Sequence, residues 1–110
     1  MAIDIINSGV NSGGVVNVAT GTFTGNGNDK RIELGFKPHY IFVLNETDGV
    51  GWVKLGTMAA ANTFKHAAAA NTVDTGSAIT IVDEGAGKGA FVAVAATVPN
   101  AKVIHWVAQG

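Results

Sequence analysis

Between Gly21 and Val43 the chain reads strand, glycine turn, strand, tight corner, strand, and that density of extended segments constrains the fold more than any other feature. Polar and apolar residues alternate through Thr22-Phe23-Thr24 and again through Arg31-Ile32-Glu33-Leu34. A two-residue period belongs to half-buried strands, whose successive side chains point to opposite faces. The Gly25-Asn26-Gly27-Asn28-Asp29 linker supplies residues that tolerate positive backbone angles, and it predicts a hairpin turn. Gly35-Phe36-Lys37-Pro38 then re-aims the chain into Tyr40 to Leu44, an apolar run suited to a core strand. None of this is catalytic chemistry. It is architecture, and it points to a structural or binding role.

Further strand candidates follow at short intervals: Val15–Thr24, Asp29–Leu34, His39–Asn45, Gly51–Leu55, Ala78–Asp83, Ala90–Thr97 and Lys102–Ala108. About seven or eight short antiparallel strands separated by turn signals predict an all-β sandwich, with a jelly roll among the strand orders open to it. The 15 glycines suit frequent turns and do not suit a helical bundle. Turns are expected at Thr47-Asp48-Gly49 and Pro99-Asn100, with a longer glycine loop over Asp83–Gly89. Phe91–Thr97 is apolar on both faces, as a strand covered on both sides would be. Thr57–Ala70 is alanine-rich but interrupted by Asn62-Thr63, so a long loop with one helical turn, packed by Met58 and Phe64, is expected there. Residues 1–14 end in the polar, glycine-rich run Asn7–Gly14, and are expected to form an N-terminal arm ordered by docking on a neighbour. Residues 15–110 would then be one β-sandwich domain, as chains of this length rarely divide their core.

Composition removes several classes of function. A net charge of −1 leaves no basic footprint for nucleic acid. The absence of cysteine excludes disulfide scaffolds, thiolate metal sites and thiol catalysis. No run of about 20 apolar residues is present to span a bilayer, and Met1–Ile6 lacks the basic and apolar regions of a signal peptide. The expectation is a soluble protein assembled where it is made. Hydrophobic residues make up 47% and charged residues only 14%, which leaves apolar surface available for a partner.

Candidate chemistry is sparse. Gly85-Ala86-Gly87-Lys88-Gly89 lacks the P-loop's first glycine, since residue 82 is valine, and lacks a Ser or Thr after the lysine. His39, His66 and His105 show no metal-ligand spacing, and His39 and His105 are expected at strand edges facing solvent or an interface. There they would be the groups able to make assembly pH-sensitive. Asp83 and Glu84 are adjacent, so on a strand they would face opposite sides, and paired acid–base work would need Asp74 or Glu46 as well. Phe23, Phe36, Phe42 and Phe91 are assigned to the core, where large rings dominate burial. Trp52 suits either the core or a subunit interface, where tryptophan is enriched.

The succession G-T-F-T-G-N-G over Gly21–Gly27, I-E-L-G-F-K-P over Ile32–Pro38 and I-F-V over Ile41–Val43 resembles small β-rich structural proteins of tailed bacteriophages, their tail and decoration modules. Ile104-His105-Trp106-Val107-Ala108 is similar to the aromatic closing strand of such modules, whereas Gly49–Gly76 lies outside the resemblance. The resemblance implies a non-enzymatic virion protein without a cofactor. The expected role is a capsid decoration (cement) protein, made in the host bacterial cytoplasm and bound to the outer head surface. Its partners would be the major capsid protein and copies of itself, as dimer or trimer, with neither nucleic acid nor membrane. Ile3, Ile5 and Ile6 are the candidate arm anchors, with Trp52 as a further interface candidate. The alternative is a tail or fibre module that binds a host cell-surface receptor or glycan through loops such as Gly49–Ala70 or Asp83–Gly89.

Overall fold

The structure, a computed structural model, describes residues 17–110. Nine strands are formed among these residues: β1 (Val18–Thr24), β2 (Lys30–Glu33), β3 (Tyr40–Asn45), β4 (Val50–Leu55), β5 (Thr63–His66), β6 (Asn71–Asp74), β7 (Ile79–Gly85), β8 (Lys88–Ala93) and β9 (Val103–Gln109). They build two antiparallel sheets, one of six strands in the order β1-β9-β3-β4-β5-β6 and one of three in the order β2-β8-β7. The all-β sandwich is therefore the one expected, with its strands divided six and three and not four and four as in a regular jelly roll. The expected arm, with Ile3, Ile5 and Ile6, lies outside the described residues.

Alternation explains the layering. Along β3, Ile41, Val43 and Asn45 are buried while Tyr40, Phe42 and Leu44 are half-buried on the opposite face. The inward residues of the large sheet meet Ile79 of β7 and Phe91 and Ala93 of β8, and with Trp52, Ile104 and Ala108 they form one core. Phe91 meets Trp106 edge-on, with ring centroids 5.5 Å apart. Gly21 faces Trp106 across the β1–β9 ladder, and a Cβ there would lie 2.6 Å from the indole ring. A buried threonine ties the layers, Ile79 N of β7 donating to Thr63 Oγ1 of β5, and a second closes the end of the small sheet, Thr97 Oγ1 donating to the Ala78 carbonyl.

Several expectations are corrected. The Gly25–Asp29 linker is not a hairpin, because β1 pairs with β9 and β2 with β8; it carries the chain from one sheet to the other. Asp83–Gly89 is not a long loop: β7 and β8 close around Ala86-Gly87, both with positive φ, beside a bulge at Asp83/Gly85. The strand over Ala90–Thr97 stops at Ala93, and a turn in which Thr97 N and Val98 N both donate to the Val94 carbonyl buries Thr97 and Val98. Within Thr57–Ala70 residues 63–66 are not loop but form β5, which pairs with β6 as a hairpin across the connection at 67–70. Phe64 consequently faces outward, 38% exposed, and packs no loop.

Phe42 also leaves the core and takes the outward side of β3, while Phe91 is buried and Phe23 and Phe36 pack against the core margin. The cause in both cases is register. A one-residue choice of face decides which of two apolar neighbours goes inward.

Gly21→Ala is expected to destabilise the fold by about 1–3 kcal/mol by crowding Trp106, and to weaken its near-ultraviolet circular dichroism. Gly27→Ala, where a Cβ meets open space but φ is +85°, should leave that signal intact and cost about 1–2 kcal/mol. Denaturant titrations of both variants check the pair.

Candidate functional site

Two places on the described surface are built well enough to act. One is the outward face of the large sheet. The cross-strand register sets Val18, Thr20, Thr22 and Thr24 of β1 beside Gln109, Val107, His105 and Val103 of β9. The same face continues through Tyr40, Phe42 and Leu44, then Leu55, Val53 and Gly51, and ends on Phe64, His66, Val73 and Asn71. None of these outward strand positions carries Asp, Glu, Lys or Arg. The large exposed hydrophobics of the described chain, Val18, Leu55, Phe64, Val73 and Val103, all fall on it.

Local sequence shapes this face. Gly51 has no side chain to stand in the way, and the Phe42 ring lies across it, with Cε1 3.1 Å from where a Cβ would be. A shallow hollow of about 150 Å³ opens beside that ring, bounded by Leu44, His105, Trp106 and Val107. His105 Nε2 lies 2.6 Å from Glu46 Oε1 at one margin, so the face meets its first carboxylate only at a turn. His105 faces outward, but from the middle of β9 between β1 and β3 and not from a sheet edge.

The β5–β6 hairpin is inverted relative to an ordinary sandwich edge. Its inward positions are Thr63, Lys65, Thr72 and Asp74, and its outward ones include Phe64 and Val73, the latter 56% exposed. An edge hairpin that folds for its own domain turns its apolar residues in. This one turns them out.

The second place is a cleft of about 670 Å³ along the edge of β7, lined by Lys37, His39, Lys54, Thr57, Met58 and Asp83 among others. Lys54 is inward-facing and only 3% exposed. Its Nζ donates to the carbonyls of Ala59, Ala60 and Asn62 at 2.8, 3.0 and 2.7 Å. An ammonium has three protons, and all are used. Burial pushes its pKa below the ordinary lysine value, while carbonyl acceptors favour the charged form. The lysine is thus a clamp for the 56–62 loop and offers no free donor to a ligand. His39 stands exposed at the rim.

Lys37 Nζ pairs with Asp83 Oδ2 at 3.5 Å across the cleft mouth. Asp83 is held below the usual carboxylate range by the Gly85 N–H and then by the charge of Lys37. Glu84 turns instead to Arg31, so the adjacent acids do part as expected. Glu33 is lowered by its hydrogen bond from Arg31, and Asp48 by that from Asn45 and then by Lys102. Asp74 Oδ1 accepts from Gly76 N, far from a role beside Asp83. No group of three or more metal-ligating side chains converges among the described residues.

Trp52 takes the core position of the two open to it, 5% exposed, with Lys65 Nζ over its ring at 5.0 Å. The outward face escaped the sequence reading because Tyr40–Leu44 is apolar on both sides and because β5 was read as loop. A signal is present in Phe64 and Val73, each the one large apolar residue of a strand otherwise built of Thr, Lys, His, Asn and Asp.

Lys54→Met keeps the stem but removes the three carbonyl bonds. Expected are a loss of about 1.5–3 kcal/mol and faster proteolysis within residues 56–62, read by mass spectrometry. Because Asp48, Asp83 and Glu33 have depressed folded-state pKa values, the unfolded chain binds more protons in acid. Their stabilisation is present above the ordinary carboxylate range and lost as pH falls through the depressed values. Calorimetry from about pH 5 to about pH 2 should show Tm falling, less steeply for Asp83→Asn.

Searched against protein families, curated proteins and solved structures, the chain matches none.

Proposed function

We propose that the protein is a non-enzymatic structural component of a phage virion, a capsid decoration (cement) protein that binds the outer head surface. The observation that carries this reading is the outward face of the large sheet, which carries no Asp, Glu, Lys or Arg and holds the exposed Val18, Leu55, Phe64, Val73 and Val103. Exposed apolar residues gathered on one face mark association more often than catalysis. The phage-like motif supports it, since Gly21–Val43 runs from the second half of β1 through β2 into the first four residues of β3. A cement works by bridging. Each copy contacts neighbouring capsid subunits, and simultaneous contacts raise the effective concentration of each.

A tail or fibre module recognising a host glycan is the second reading, and the cleft is what favours it. Thr57, Thr80, Asp83 and His39 offer partners for sugar hydroxyls there. The lining holds no Trp, Tyr or Phe for a sugar ring to stack on, which leaves the head-surface role ahead.

Quantitative mass spectrometry of purified particles separates the two. A copy number close to that of the major capsid protein is expected. A few copies per particle would move the protein to the tail, and absence from particles would sink both roles.

A further inference from the structure

We propose that the outward face of the large sheet is the surface on which a second copy of this chain docks, sheet against sheet. The inference rests on the association role given to that face above and names its occupant. Three observations favour self-association over a partner of different chemistry.

The first is charge. A face that must recognise a charged partner carries the opposite charge, and this one has none along six strands. In a two-fold contact every residue meets its own kind of surface, so a charged patch would repel itself. An uncharged one does not. The nearest charge is Glu46 at the margin, beside His105; Arg31, Glu33 and Glu84 lie on the small sheet and Lys37, Asp83 and Lys54 at the cleft.

The second is area. Six strands at ~4.8 Å spacing, each about six residues long at ~3.3 Å, give a face of roughly 600 Å² in plan. Side-chain relief brings that towards the ~800 Å² each partner buries in a standard stable interface. A receptor peptide or a single glycan would cover only a part of it.

The third is shape. Apart from the shallow hollow beside Phe42, the face is a plain sheet surface, mostly of Val, Leu, Phe and Thr side chains with Tyr40, His66, His105, Asn71 and Gln109 among them. Such surfaces pack on one another at about 10 Å, as the two layers of a sandwich do. Phe64 and Val73 extend it on the inverted hairpin, so that β5 and β6, without outward cover among the described residues, gain it in a pair.

The test is sedimentation equilibrium of the full chain, native and substituted. Phe64→Lys and Val73→Lys, made singly, place a charge at exposed positions and enter a two-fold interface twice. Each is expected to weaken association by at least about 100-fold. Phe64→Thr, which keeps strand preference and adds no charge, should weaken it less, and Lys88→Glu on the small sheet should leave it unchanged. Near-ultraviolet circular dichroism from Trp106 and Phe91 verifies that each variant is folded. Because the chain has no cysteine, Val73→Cys carrying a spin label gives a second readout, an intermolecular dipolar distance in the pair.

A native chain that stays monomeric at every concentration overturns the proposal. So does an oligomer that both lysine variants leave intact. Monomers found at high copy number on heads would sink this inference and spare the virion role. A stable pair absent from particles would do the reverse.

Discussion

Everything outward in this molecule depends on how the small sheet is held against the large one. No strand ladder joins the layers, so the work falls to side chains, above all Phe91 meeting Trp106 edge-on. Trp106 reaches that position because Gly21 opposite it has no side chain. Buried aromatic pairs contribute beyond their area, the Thr63 hydroxyl satisfies the Ile79 N–H that burial would otherwise strand, and the Thr97 hydroxyl adds a second bond to the Ala78 carbonyl beside that from Val94 N.

Three strands cannot cover six, and the consequences follow from that inequality. Where the small sheet ends at β7, the inner side of β4–β6 loses its apolar cover and turns polar, with Lys54, Lys65, Thr72 and Asp74. The cleft is the space left at that boundary. Lys54 reaches into it and would be an isolated buried charge, a costly state, had the 56–62 loop not folded its carbonyls around the ammonium. The alanine-rich loop is suited to this, because small side chains let three carbonyls approach one nitrogen.

Much of the layering was legible in the sequence, because alternation in Thr22–Thr24 and Arg31–Leu34 states which residues share a face. Pairing was not legible. The Gly25–Asp29 linker has the composition of a hairpin yet bridges the sheets, since what decides it is the distant partner of each strand, β9 for one and β8 for the other. Sidedness failed where both faces are apolar: nothing local in Tyr40–Leu44 says that Ile41 goes in and Phe42 out. Short strands with Ala and Asn neighbours, such as Thr63–His66, carry weak propensity and form through the ladder to β4.

The distribution of charge divides the molecule into two surfaces with different physics. On the small sheet Arg31 bridges Glu33 and Glu84 in water, where ion pairs add little stability but keep a surface solvated. On the large sheet the outward positions carry no Asp, Glu, Lys or Arg and set valine, leucine and phenylalanine among threonines and a few uncharged polar residues. A single copy leaves that second surface without cover among the described residues. Under the proposed pairing a second copy would cover it, sheet against sheet, and the charged outer side of the small sheet would stay in water.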